Sequence, residues 1–259
     1  MEGRTAIRLP LMLISALMLA LLLQPALAND SSAREPLMVT VGLNHAPPYR
    51  IVDGDQKTGL YVDIFREIAN RLGWQLKFVE APFRRVLLMA QQGQVDVMLG
   101  PLETEERAEY LEFVAPAFPP ERKLFFYTDE AHRIDRYSDL GEKRIGVLSG
   151  ASYFPRFDAD DQLIKESAPR YENLMRMLAK DRVDVVIAPE LVGLYTIKEL
   201  GLAVSVSPFF VPGNRSYIAV SRSSPVMAYA DDIRAALKLI VQEGIHEDLV
   251  LKYLEQAQP

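Results

Sequence analysis

No cysteine occurs among the 259 residues, which excludes disulfide staples, thiolate metal sites and a lipid-bearing cysteine that would tether an exported chain. Histidine is nearly as scarce. His45, His132 and His246 show no paired ligand spacing, so no metal centre is expected. No glycine-rich loop of the P-loop or Rossmann form appears, and no cofactor is expected. The 29 lysines and arginines form no run and are outnumbered by 35 acidic residues. This argues against nucleic acid, because phosphate neutralisation needs clustered cations. The acidic, mixed C-terminal region offers no basic amphipathic face to lipid. Small solutes are left as partners.

What is present begins with an apolar run. Arg4 and Arg8 precede Leu9 to Leu23, and Ala26-Leu27-Ala28 supplies the small residues that a signal peptidase needs. Residues 1–28 therefore read as a signal peptide. The run is 15 residues long and carries Pro10, short of the ~20 apolar residues that span a bilayer. Cleavage leaves 231 residues with 27 basic and 34 acidic side chains, a net charge of −7. The expected location is the periplasm, as a freely diffusing monomer. Residues 29–36 are polar and aperiodic and read as a disordered leader. The remainder is long enough for one full core or two smaller lobes.

Alternation of strand and helix patterns then dominates. Met38 to Leu43 alternates like a strand, and Pro47-Pro48 forces a turn after it. Ile64, Phe65, Ile68, Ala69 and Leu72 recur at helical spacing up to a Gly73 cap. Gln75 to Val79 reads as strand, Phe83 to Gln92 as helix, and Val95 to Leu99 as a short buried strand. In the second half, Arg144 to Leu148 reads as strand and Ser149-Gly150-Ala151-Ser152 as a turn that begins a helix; Tyr171 to Lys180 is helical. Val183-Asp184-Val185-Val186-Ile187-Ala188-Pro189 echoes Val95-Asp96-Val97-Met98-Leu99-Gly100-Pro101 without a gap, which suggests two similar α/β units. Ser216 to Val220 reads as a strand and Val226 to Glu255 as two helices parted near Gly244. Val226, Ala230, Ile233, Leu237 and Ile240 share the face that packs.

Four segments carry a resemblance. Gly59-Leu60-Tyr61-Val62-Asp63-Ile64 resembles a G-F-D-x-D-L helix start, and Gly93-Gln94-Val95-Asp96 a G-x-x-D strand start. Thr104-Glu105-Glu106-Arg107, with Phe113 and Pro116, resembles T-x-x-R…F-S-x-P-Y. Residues 144–152 resemble a G-V-x-x-G-[ST]-[ST] strand and turn. In this order and spacing, from about Met38 to Leu254, the chain resembles the family 3 solute-binding proteins, the periplasmic receptors of polar amino acid ABC transporters. The resemblance implies an α/β, two-lobed periplasmic binding protein fold of type II form, each lobe a mostly parallel sheet flanked by helices. Lobe 1 would comprise residues 37–125 and 218–259, and lobe 2 residues 126–217. Crossing strands would lie near Leu124 to Tyr127 and Tyr217 to Val220. It further implies a small carboxylate-bearing ligand in the inter-lobe cleft, delivered to an inner-membrane ABC permease.

Arg107 is the first candidate for that ligand. Thr104 can cap the helix by accepting from the Arg107 N–H, Glu105 and Glu106 suit the positive end of the helix dipole, and the guanidinium can lean back over the helix start. A carboxylate there could accept a bidentate pair. The plainer alternative is a surface arginine paired with Glu103. Ser152, beside Ala151 after Gly150, could offer its hydroxyl from the opposite lobe, or serve simply as an N-cap. The family places an aromatic wall at the position of Phe83, which core packing would explain equally well. Leu102 adjoins the Thr104 cap. Asn44, His45 and Tyr49 lie on the first strand-to-helix loop, where ordinary turn chemistry would also account for them.

Two positions depart from the family pattern. Gly100-Pro101-Leu102 stands where a serine-rich strand end is usual, and Pro189 where an aspartate meets the ligand's ammonium. Glu190 is next door and could substitute, but a one-residue shift redirects its side chain, so the ligand need not be an α-amino acid. Cyclohexadienyl dehydratases share this fold, and a dry Glu190 could act as their cleft acid. No catalytic residue is expected under the receptor reading. A ligand-sensing subunit for a membrane receptor is a third reading.

Overall fold

The computed structural model describes residues 36–257, with side chains to Tyr253. The signal peptide and all of the leader but Pro36 lie outside them. Twelve strands are described: β1 Met38–Leu43, β2 Ile51–Asp53, β3 Gln56–Thr58, β4 Gln75–Glu80, β5 Val97–Leu99, β6 Leu111–Ala115, β7 Lys123–Tyr127, β8 Arg144–Leu148, β9 Ile164–Ala168, β10 Val185–Pro189, β11 Ser205–Val211 and β12 Ile218–Ser221. The α-helices are α1 Leu60–Leu72, α2 Phe83–Gln91, α3 Glu105–Ala108, α4 Pro155–Asp158, α5 Tyr171–Leu178, α6 Glu190–Leu200, α7 Ala230–Gln242 and α8 Ile245–Ala257. No helix among the described residues is long and apolar enough to cross a membrane.

Two five-stranded sheets form two lobes, in the orders β4-β1-β5-β12-β6 and β11-β7-β10-β8-β9. Each sheet is mixed. β4, β1 and β5 run parallel, as do β10, β8 and β9, while β12 and β6 in one sheet and β7 and β11 in the other complete it with antiparallel pairings. The chain passes from the first sheet to the second through residues 116–122 and returns through residues 212–217. β7 is thus a full member of the second sheet and β12 of the first, and the limit expected at residue 125 falls inside β7. Pro116, Pro119 and Pro120 on the outward passage and Pro212 on the return cannot donate to a ladder, so both passages run as open chain.

The two lobes share a construction detail. Asp96 Oδ2 accepts from the N–H of Thr40 at 2.7 Å while its own N–H donates to Thr40 O at 2.8 Å. Asp184 makes the same pair of bonds, 2.7 and 2.8 Å, with Arg144. Each aspartate locks the foot of its central strand to the neighbouring parallel strand. The Val-Asp-Val echo therefore marks a repeated structural joint. In each lobe a strand glycine lets a helix approach: an added Cβ at Gly42 would lie 2.6 Å from Val86 of α2, and at Gly146 3.2 Å from Leu174 of α5.

Amphipathic helices cover the sheets. α1 buries Ile64, Phe65, Ile68 and Ala69 and stops at Gly73, whose φ of 67° permits the left-handed cap. α7 buries Ile233, Ala236 and Ile240 and packs against α1 and β6 of the first lobe. The start of α1 is tied to α8 by Tyr253, whose hydroxyl accepts from Gly59 N–H and donates to Asp63. The helix expected to begin at Ser149–Ser152 starts later, at α4. Pro155 occupies its first turn, and the residue before a proline is pushed out of helical conformation, so Phe154 is extended and the helix cannot begin before Pro155.

Candidate functional site

The carboxyl ends of the parallel strands from both sheets face one another across a cavity of about 80 Å³. Segments of both lobes and of both inter-sheet passages build it. The turn after β1 is closed by an Ala46–Arg50 bridge around Pro47-Pro48 and turns Tyr49 and Arg50 inward. The end of β5 contributes Gly100 to Leu102, followed by α3. The second lobe contributes the β8 turn at Leu148 to Tyr153, and the outward passage between the sheets contributes Glu121.

Arg107 is the centre of this geometry. It is only 4 % exposed. Thr104 Oγ1 accepts from its N–H at 3.2 Å, fixing the first turn of α3. The guanidinium donates through Nη1 to Leu102 O at 2.8 Å and through Nη2 to Gly150 O at 2.9 Å and Ser152 Oγ at 3.4 Å, so it joins the two lobes. Its carbon lies 5.6 Å from the centre of the Phe83 ring. No carboxylate lies within 4 Å of it among the described residues. Burial pulls its pKa down, opposed by Tyr110, Glu106 and Asp158.

Phe83, Leu102, Ala151, Ser152 and Tyr49 line the cavity with Arg107. Thr104 acts from behind, as the cap. Ser152 caps no helix, since α4 begins three residues later. Other candidates lie elsewhere. Asn44 is buried with its amide toward His45 O, and His45 faces the rim, accepting from Val52 N–H and standing 3.4 Å from Glu172 of the second lobe. Glu190 is the first residue of α6, and its carboxylate is taken in a two-point pair by Arg122, with Nε to Oε2 at 2.8 Å. It does not line the cavity, and its side chain is partly exposed.

The cavity brings in residues that the sequence did not single out as site residues: Arg50, Tyr61, Glu121, Lys123, Tyr153 and Tyr171. Tyr61 stacks between Tyr49 and Phe118, with ring centres 4.4 and 3.7 Å away. Tyr153 OH accepts from Leu148 N–H at 2.8 Å, holding the β8 turn. Glu121 accepts from Leu191 N–H at 2.6 Å. Burial pushes its carboxyl up to about 7, against the pull of Lys123 and the hydrogen bonds from Leu191 and Tyr49. Thus the cavity does contain a carboxyl group, but it comes from the inter-sheet passage and not from the position beside Pro189. No group of histidines and carboxylates that could hold a metal occurs among the described residues.

This arrangement can enclose a small solute between two lobes. The model of the bacterial extracellular solute-binding proteins, family 3, matches residues 39–256. The arginine-binding extracellular protein ArtP of Bacillus subtilis is 22 % identical over 242 residues, covering 87 % of this chain and 89 % of its own. A probable histidine-binding protein of Campylobacter jejuni is 22 % identical over 183 residues, covering 64 % of this chain and 71 % of its own. An ancestral arginine-binding protein, solved bound to arginine, superposes with a TM-score of 0.72 at 23 % identity, covering 83 % of this chain and 97 % of that one. A family match across both lobes settles the class: the chain belongs to the bacterial extracellular solute-binding proteins, family 3, and its role is to bind a solute.

Proposed function

We propose that the protein captures a small carboxylate-bearing solute, an amino acid or related acid, in the cavity between its lobes. The ligand's carboxylate pairs with Arg107 and the Ser152 hydroxyl, and Phe83 forms the adjoining wall. One observation carries this reading. Arg107 is a buried, permanently charged fork with no counter-ion among the described residues, and it contacts backbone carbonyls and a hydroxyl from both lobes. A buried guanidinium is costly without an anion, and its planar donors match a carboxylate.

The relatives are named for binding arginine and histidine, which supports an amino acid or close analogue as the solute. Our reading is that a monomer in the periplasm delivers the solute, chemically unchanged, to an ABC permease, as membership of a solute-binding family would have it. Lobe 1 then holds the first sheet with α1, α2, α7 and α8, and lobe 2 the second sheet with α5 and α6.

A thermal-shift series on the purified protein tests the reading. Free acids and their methyl esters are compared at equal concentration. At about 100 times its dissociation constant a ligand adds ~2.7 kcal/mol, or roughly 5–10 °C for a chain of this size. At least one acid should give such a shift while its ester does not. Equal shifts from acid and ester would exclude carboxylate recognition.

A further inference from the structure

The cavity holds a second cation to which a single carboxylate gives no task. Arg50 is 8 % exposed and lines the same space as Arg107. Its guanidinium donates through Nη1 to Leu99 O at 2.9 Å, and Nε is buried without a partner. No carboxylate lies within 4 Å of it among the described residues. Lys123 is also buried, its Nζ 3.3 Å from Glu121 O. Against these cations the lining supplies one carboxyl group, Glu121, which already accepts from Leu191 N–H.

Beside the Leu99 bond the guanidinium has the Tyr61 ring, 5.4 Å from its carbon, and neither contact requires an ionised group. A neutral amide could donate to Leu99 O without placing an ionised group out of water. The backbone, moreover, gives way to the guanidinium. Gly100 has a φ of +88°, and a Cβ there would stand 2.5 Å from Arg50 Nη1. The missing side chain leaves the room into which Arg50 reaches.

Resting on the reading of Arg107 as a carboxylate site, we infer that the solute carries two anionic groups, one for Arg107 and one for Arg50: a compact dicarboxylate or an acidic amino acid. A cationic side chain such as that of arginine would meet Arg50 as a like charge. Glu121 stands ready to receive an ammonium group if the diacid has one.

Isothermal titration of the purified protein decides the matter. Succinate, L-aspartate and L-glutamate are compared with butyrate, L-asparagine and L-glutamine, in which one acid group is removed or neutralised, and with L-arginine. At least one diacid should bind about tenfold or more tightly than its counterpart, and in Arg50→Gln that preference should collapse to about one. Equal affinity in the unaltered protein, tighter binding of L-arginine, or an Arg50→Gln variant that keeps the preference would each overturn the inference. Should the variant fail to fold, the unaltered protein's own selectivity still decides. Binding of butyrate, L-asparagine or L-glutamine without any diacid would refute the second subsite and leave Arg107 standing; binding of no acid at all would refute both. Among diacids, selective weakening of L-aspartate and L-glutamate by Glu121→Gln identifies the ammonium-bearing class, and equal effects identify the dicarboxylates.

Discussion

Glu121 is a carboxyl group lifted to about 7 in the folded chain from an ordinary 4.5, chiefly by burial. Its raised pKa favours the folded state fully below about 4.5, and that contribution is lost as the pH rises through about 7. Its slope cannot exceed ~1.4 kcal/mol per pH unit, the limit for one proton. Urea midpoints measured from pH 4.5 to 8 should therefore fall more steeply for the ligand-free protein than for Glu121→Gln across this window; parallel curves would show that Glu121 titrates normally. Gly100 offers a second test. In Gly100→Ala the new methyl would collide with Arg50 and with the Tyr61 ring, also 2.5 Å away, at a backbone angle alanine disfavours. A loss of about 1–3 kcal/mol in denaturant unfolding is expected, and an unchanged midpoint would contradict the close fit. At this scale the sequence was legible where a motif supplied position. Arg107, Phe83 and Ser152, which line the cavity, each sit at a fixed place in a strand–turn–helix pattern. Arg50, Glu121 and Lys123 do not; only the tertiary fold brings a turn after β1 together with an inter-sheet passage.

At the scale of elements, the aspartate joints explain why a seven-residue echo corresponds to a repeated architecture. Asp184 accepts from the Arg144 N–H and from the Arg144 side chain, which holds its carboxyl below the usual range. Asp184→Ala should therefore destabilise the second lobe by about 1–3 kcal/mol, read as a lower urea midpoint, since a strand N–H loses its partner; a neutral result would mean that water replaces the carboxylate freely. Periodicity located β1, α1, β4, α2, β8 and α5 to within a residue or two. It passed over the β2–β3 hairpin, although Asp53-Gly54 is a hairpin turn signal and Gly54 has a φ of 51°. β11 escaped because Pro208 lies within it; the strand tolerates proline because it is an edge and its register shifts between Val206 and Phe210.

For the whole molecule, the cavity is defined by two lobes in contact. Arg107 reaches Gly150 and Ser152, Arg170 pairs with Glu80 at 3.2 Å, and His45 meets Glu172, each across the cleft. The two inter-sheet passages also touch: an added Cβ at Gly213 would fall 1.8 Å from Glu121 O. Gly213→Ala should thus force the passages apart and weaken solute binding without changing any lining side chain, which titration would register as a higher dissociation constant; unaltered affinity would show that the passages yield independently of the site. On the proposed reading, ligand entry would open and reform the cross-cleft contacts, a hinge motion that two open segments between two sheets would permit.

Arg107 is the proposed anchor for an acid, and titration of Arg107→Met with the tightest-binding acid of the series tests that role most directly. The prediction is a folded variant, its circular dichroism unaltered, that has lost at least about a hundredfold in affinity. A folded Arg107→Met that binds the same acid as tightly as the unaltered protein would contradict it.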